Sequence, residues 1–200
     1  MKKGMFLAGA IAACVMFAGA AQATVINLAT GGDATTTSFS KAGISGTISA
    51  RSGGNSYPGN NALNSNVINQ DAFGLGIKLN SNDDPDVDGR NTIEWLVFDF
   101  ASAVTLNSIS FSDDNLSGNW DVWISLAGAV TKVGNGSTQN PFTSGLGVLV
   151  DRFVVKADSN SDSWRVGSFD ATAVPEPATL GLFGLGLLGL GLASRRRKVA

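Results

Sequence analysis

Phe73, Leu75, Ile77 and Leu79 alternate with Gly74, Gly76, Lys78 and Asn80, a period of two that predicts a half-buried strand. Thr92 to Phe100 places Trp95, Val97 and Asp99 on one face and Leu96, Phe98 and Phe100 on the other. Apolar groups on both faces predict an inner strand. Val104, Leu106 and Ser108 then give way to Ile109 and Phe111, so the apolar positions switch from even to odd. An extra residue near Asn107-Ser108, a β-bulge, accounts for the switch. Trp120, Val122, Ile124 and Leu126 alternate with Asp121, Trp123 and Ser125; Gly128 opens a return through Val130 and Val133, and Asn135-Gly136 reads as a hairpin turn. Gly147 to Ala157 and Ser163 to Phe169 predict two closing strands, joined by a polar turn from Asp158 to Asp162.

Upstream, Val25 to Leu28 and Gly43 to Ala50 are short apolar pieces in a stretch rich in Gly, Ser, Thr and Asn. Ile44 and Ile48 share a face in either a strand or a helix, and the density of Thr and Ser with flanking Gly decides for strands joined by turns. Arg51 to Asn61 reads as a loop that exposes Tyr57. No stretch from Thr24 to Val174 repeats apolar residues at i, i+3, i+4 and i+7 in good helix formers. About nine short strands separated by Gly, Asn and Asp turns predict an all-β fold, a single antiparallel β-sandwich of the jelly-roll type.

The two ends break this pattern. Met1 to Ala23 has two lysines, an apolar run from Met5 to Ala20 and a small-x-small cleavage site at Ala21-Gln22-Ala23, the layout of a secretory signal peptide. Ile11-Ala12-Ala13-Cys14 is also like a lipobox, but the apolar segment before Cys14 is very short and the chain stays apolar after it. At the other end stand Val174-Pro175-Glu176-Pro177, then Ala178 to Ala193 without a charge, then Ser194 followed by Arg195, Arg196, Arg197 and Lys198. Two prolines hold the motif extended, and cations beside an apolar span stay on the cytoplasmic side. Sixteen residues from 178 to 193 reach only about 24 Å as a helix, short of a hydrocarbon core of about 30 Å. Five glycines weaken that helix, and no two of them have GxxxG spacing. The predicted span is a temporary anchor.

This tail resembles the PEP-CTERM sorting signal, in which a Pro-Glu-Pro motif, a short transmembrane helix and an Arg-rich end are presented to the membrane protease exosortase. The segment from Gly74-Leu75-Gly76 through Asp86-Val87-Asp88-Gly89 to Glu94–Phe100 is also similar to a pattern recurring in exported PEP-CTERM proteins. The resemblance implies three parts: a signal peptide at 1–23, a β-sandwich at 24–173 and a sorting signal at 174–200, with the transmembrane helix at 178–193 and the basic tail at 194–200. It implies export by the general secretion machinery, transient residence in the inner membrane and cleavage by exosortase at or near Pro175-Glu176-Pro177. The expected destination is the cell surface or extracellular matrix. The expected role is structural or adhesive, in association with exopolysaccharide or biofilm; a carbohydrate-binding module is the alternative and a secreted hydrolase the third.

Charge and composition narrow the chemistry. Between Thr24 and Val174 eight Lys and Arg face fifteen Asp and Glu, a net −7 inside a chain whose overall charge is −2. An acidic surface repels phosphate backbones, which argues against nucleic acid as a partner. The chain has no His, and its single Cys, Cys14, lies in the leader. Disulfides, Ser-His-Asp and Cys-His catalysis and ordinary zinc sites are thereby excluded from the mature domain. Glu94 is the only Glu before the sorting motif and no carboxylate pair stands out for glycoside hydrolysis, so the expectation is a protein that is not an enzyme.

Two constellations remain. Asp84, Asp86 and Asp88, followed by Gly89 and by Glu94, offer alternating carboxylates on a turn, a candidate Ca²⁺ loop. A solvated acidic turn that keeps strand edges soluble is the competing explanation. Asp113-Asp114 with Asn115 and Asn119 is a weaker second candidate. Among the aromatics, Trp120 shares a face with Val122 and Ile124 and is assigned to the core, and Trp164 is intermediate. Trp123, among polar neighbours on the other face, is expected to be exposed and, with Tyr57, to offer a stacking surface for a sugar.

Overall fold

The computed structural model describes residues 21–29, 35–53, 57, 61–63, 67–90 and 92–174, with residues 61 and 113–117 described by backbone only. The expected signal peptide lies outside these residues except for Ala21 to Ala23, and the expected transmembrane helix and basic tail lie outside them altogether. Among the described residues there is no α-helix, and no helix is long and apolar enough to cross a membrane. The strands are β1 (Ala23–Asn27), β2 (Ser38–Lys41), β3 (Ile44–Ser52), β4 (Asn61–Ala62), β5 (Ile68–Gln70), β6 (Leu75–Ile77), β7 (Val87–Asp88), β8 (Glu94–Ser117), β9 (Trp120–Leu126), β10 (Ala129–Ser137), β11 (Val148–Ala157) and β12 (Ser163–Ala173). Every pairing among them is antiparallel.

The fold turns on β8, which joins what the sequence pattern reads as two separate strands. Its first half pairs with β3 on one edge and β11 on the other. Its second half keeps β11 but exchanges β3 for β12. The change comes at Ala101 to Ala103, small and largely exposed residues. There Val150 opposes Val104 while Arg152 opposes Asp99, so β8 carries extra residues and bends from one layer into the other. One continuous sheet thereby folds over itself. The first layer is β2-β3-β8-β11-β9-β10, and the second is built on the far half of β8, with β12, β1, β6 and β5 beside it.

Aromatic rings fill the space between the layers. Phe98 stacks on Phe153 at 4.3 Å, and Phe169 from β12 meets Phe39, Phe98, Phe100 and Phe153 edge-on at 5.2–5.8 Å. Farther along, Phe111 stacks on Trp120 at 4.1 Å with Trp164 edge-on at 5.1 Å. Edge-to-face and offset contacts of this kind add to the apolar burial that drives folding. The predicted bulge is present: Asp170 opposes Ser108 but Ala171 opposes Leu106, leaving Asn107 as the extra residue. Leu106 and Ile109 are consequently both fully buried on the same side.

Three local readings are corrected. Asn135-Gly136 is not a hairpin turn but a bulge inside β10, where the register shifts between Gly134 and Ser137. Gly136 supplies the positive φ of 57° that the bulge needs. The β9–β10 hairpin itself turns at Ala127-Gly128, with φ of 50° and 84°, the primed geometry that suits strand twist. Finally, β6 is not half-buried: Leu75, Gly76 and Ile77 are all buried. A Cβ on Gly76 would lie 1.9 Å from the Pro85 carbonyl oxygen, so the acidic segment after Asn80 crosses directly over a strand that only glycine leaves low enough.

Candidate functional site

Three places bear on function. The first is the edge where the chain enters and leaves the sandwich. Ala21 and Ala23, the expected signal-peptide cleavage residues, are exposed, and Ala23 opens β1 opposite Thr172 of β12. β12 ends at Ala173, and Val174 is exposed. Pro175, Glu176, Pro177 and the basic Arg195, Arg196, Arg197 and Lys198 lie outside the described residues.

The second is the acidic segment, where the sequence suggests a cation site. Its carboxylates do not converge: among the described residues no group of three or more Asp, Glu, His or Cys is placed to hold a metal ion. Arginines draw them apart. Asp84 bonds the exposed Arg90 Nη1 at 2.6 Å. Asp86, buried, accepts from Arg165 Nε at 2.7 Å and from the Ser163 hydroxyl, while Arg165 Nη1 also bonds Asp71. Burial lifts the Asp88 carboxyl above its ordinary range; the Arg90 backbone N–H, 3.0 Å from Oδ1, works against that rise. Glu94 faces the core side of β8, and its Oε2 accepts the Asp88 N–H at 3.1 Å. Burial, reinforced by the charges of Asp88, Asp83 and Asp86, pushes its pKa up to about 9, so it carries a proton at neutral pH. The segment is a structural clasp between β7 and β12, made by Arg165, Asp71 and Ser163. Nothing in the spacing of the acids alone points to those three residues. In the second acidic pair, nothing is described of the Asp113, Asp114 and Asn115 side chains, and the Asn119 backbone carbonyl accepts the Trp164 indole N–H at 3.2 Å.

The third is the outer face of the first layer. Register brings Arg51, Trp95, Lys156 and Asp121 side by side across β3, β8, β11 and β9. The next rung is Ser49, Val97, Val154, Trp123 and Lys132. Trp95, Val97, Trp123 and Val154 form a second apolar cluster, separate from the main core, with Tyr57 and Ile93 packed against it. Trp123 is therefore not the exposed residue that its polar neighbours suggest: it is 7% exposed. Trp95 lies 5.0 Å away, Tyr57 6.2 Å, and the Lys132 ammonium stands 4.8 Å from its ring centre. Trp120 is in the core as expected, and so is Trp164.

Asp121 anchors the charges of this face. It accepts from Lys132 Nζ at 2.8 Å, Lys156 Nζ at 3.0 Å and the Gly136 N–H at 2.8 Å. Burial alone would raise its pKa, but these three donors outweigh burial and hold the carboxyl below its usual range. The Asn135-Gly136 bulge thus aims a backbone amide at a buried carboxylate. Beside it, Arg152 bonds Asp99, which raises the guanidinium above its ordinary value. Arg51 differs: its Nε is buried with no hydrogen-bond partner among the described residues, and so is the Trp95 indole N–H beside it.

Comparison with known proteins bears on the first place. The family described as PEP-CTERM protein-sorting motif matches residues 173–198, starting at the last residue of β12. No curated protein and no solved structure matches the chain.

Proposed function

We propose that this chain, sorted by exosortase through its PEP-CTERM motif, works outside the cell as a structural or adhesive component of an exopolysaccharide or biofilm matrix. The motif marks an exported protein with a membrane-anchored sorting signal, destined for the cell surface or beyond. The carrying observation is the boundary. The match begins at Ala173, where β12 ends, and every strand and every core residue described lies before it. A cut at Pro175-Glu176-Pro177 frees the sandwich whole and leaves the weak span behind. The acidic charge of the domain disfavours nucleic acid as a partner.

Cell fractionation tests this reading. The wild-type chain is expected in the matrix fraction, without its C-terminus by mass spectrometry, and to be released when the polysaccharide is depolymerised. A chain carrying Pro175→Ala and Pro177→Ala is expected to stay with the inner membrane at full length. Wild-type protein found free in the medium, indifferent to depolymerisation, overturns the matrix role.

A second reading, a carbohydrate-binding module, draws on the outer face, where two tryptophans and a tyrosine stand among cations. Trp123 is too covered for an open stacking platform, so this reading needs polar recognition as well.

A further inference from the structure

We propose that Arg51, with the Tyr57 ring held near it on the buried Trp95–Trp123 pair, forms a subsite for the carboxylate of an acidic sugar, a uronate within a secreted polysaccharide. The inference rests on the matrix reading above and names the chemistry of the partner. Four arginines lie between Thr24 and Val174. Arg90, Arg152 and Arg165 each bond a carboxylate. Arg51 has no carboxylate partner among the described residues, in a domain where acids outnumber bases by fifteen to eight. Desolvating a guanidinium nitrogen without an acceptor is unfavourable, so an Arg held in a sheet face with no carboxylate among the described residues is a group prepared for an external anion.

Its surroundings match one class of anion. Arg51 stands opposite Trp95 in the β3–β8 register, and the Trp95 indole N–H is buried without a hydrogen-bond partner among the described residues, while the Tyr57 hydroxyl reaches Arg152. A planar guanidinium grips a carboxylate through two parallel hydrogen bonds. The half-buried Tyr57 ring, packed against Trp123, offers an apolar side to the C–H surface of a pyranose. Charge points the same way. Arg51, Lys132, Arg152 and Lys156 place half of the domain's eight cations on this one face. The acids bonded there are Asp99, Asp121 and Asp151. The face is therefore far less acidic than the rest of a domain of net −7.

The sandwich from Gln22 to Val174 is a compact unit with its own core and serves as the test material. Binding to polygalacturonate, dextran and dextran sulfate is measured by affinity electrophoresis and calorimetry. Wild type is expected to bind polygalacturonate at least about tenfold more tightly than dextran or dextran sulfate. Arg51→Gln is expected to lose about tenfold, and Tyr57→Ala, which removes the ring, a smaller factor. Arg90→Gln makes the same charge change on an exposed arginine and is expected to stay within about twofold. Should Arg51→Gln unfold, Arg51→Lys keeps the charge but not the planar fork and is expected to weaken binding as well. Equal losses in Arg51→Gln and Arg90→Gln, or equal affinity for dextran sulfate, overturn the subsite in favour of diffuse charge. Matrix retention without polygalacturonate binding overturns the subsite and leaves the matrix role standing; binding without matrix retention does the reverse.

Discussion

Ala23, the residue at which the signal peptide is expected to end, sits directly across the β1–β12 ladder from Thr172, one residue before the sorting motif begins. Residues near the two ends of the described sandwich are thus neighbours on one sheet edge. Strand neighbours lie about 5 Å apart, so Ala23 and Thr172 stand at the same end of the sandwich. β1 contributes Ile26, and Leu28 follows it, both buried in the main core, so its docking belongs to the folded state.

A cross-link checks this edge. Val25 opposes Asp170 in the same ladder, and Val25 is exposed. The domain after Ala23 has no cysteine. In a chain with Val25→Cys and Asp170→Cys, Cα atoms across an antiparallel pair stand about 4.5–5.5 Å apart, within disulfide range. The secreted double variant is expected to run as a loop-closed, faster species on non-reducing gels. Free thiols in the folded, oxidised protein would show that β1 does not dock on β12.

Glu94 makes stability depend on pH with a definite sign. Its folded pKa of about 9 stands above its ordinary value of 4.5. The folded protein therefore holds a proton that the unfolded chain releases. The stability this proton confers is fully present below pH 4.5, declines as pH rises and is gone above the folded pKa. Asp88, also raised by burial, adds in the same direction. Thermal melts from pH 5 to 9 are expected to fall progressively in wild type. Glu94→Gln keeps an acceptor for the Asp88 N–H without the ionisable group, and is expected to flatten the profile and gain about 1 kcal/mol or more at pH 8. An unchanged slope in this variant would refute the assignment.

Arg165 neutralises two buried or half-buried carboxylates, Asp71 and Asp86, and lies 5.5 Å from the centre of the Phe73 ring. Removing it leaves both acids without their cation. Arg165→Met is expected to cost about 3–5 kcal/mol in urea unfolding. Adding Asp71→Asn and Asp86→Asn to it is expected to recover part of the loss, because the stranded charges go with it. A cost under about 1 kcal/mol would show that the clasp does not hold the acidic segment.

Much of the fold could be read along the chain. Period-two alternation located β8, β9, β11 and β12 because a strand buries alternate side chains wherever it lies, and the switch of parity at Asn107 is a local count of residues. The sorting tail was equally legible, since its motif, apolar run and cations stand in linear order and are recognised as a linear peptide.

What depended on the third dimension was the choice of partner. Asp84 and Asp86 look like members of one cation loop, yet Arg90 takes one and Arg165, seventy-nine positions away, takes the other. Asn135-Gly136 has the chemistry of a hairpin turn, but the chain had already reversed at Ala127-Gly128, so its positive φ serves a bulge that feeds Asp121. Trp123 shares its face of β9 with polar Asp121 and Ser125 but has aromatic neighbours in space, because β8, one strand beyond β11, and the adjacent β10 place Trp95 and Lys132 beside it and Tyr57 packs over the same cluster. Strand and turn follow from forces between residues near one another in the chain; ion pairing and burial follow from which strands meet. The domain and its address are therefore written locally, while Arg51, whose Nε has no partner among the described residues, stands out only once β3 and β8 lie side by side.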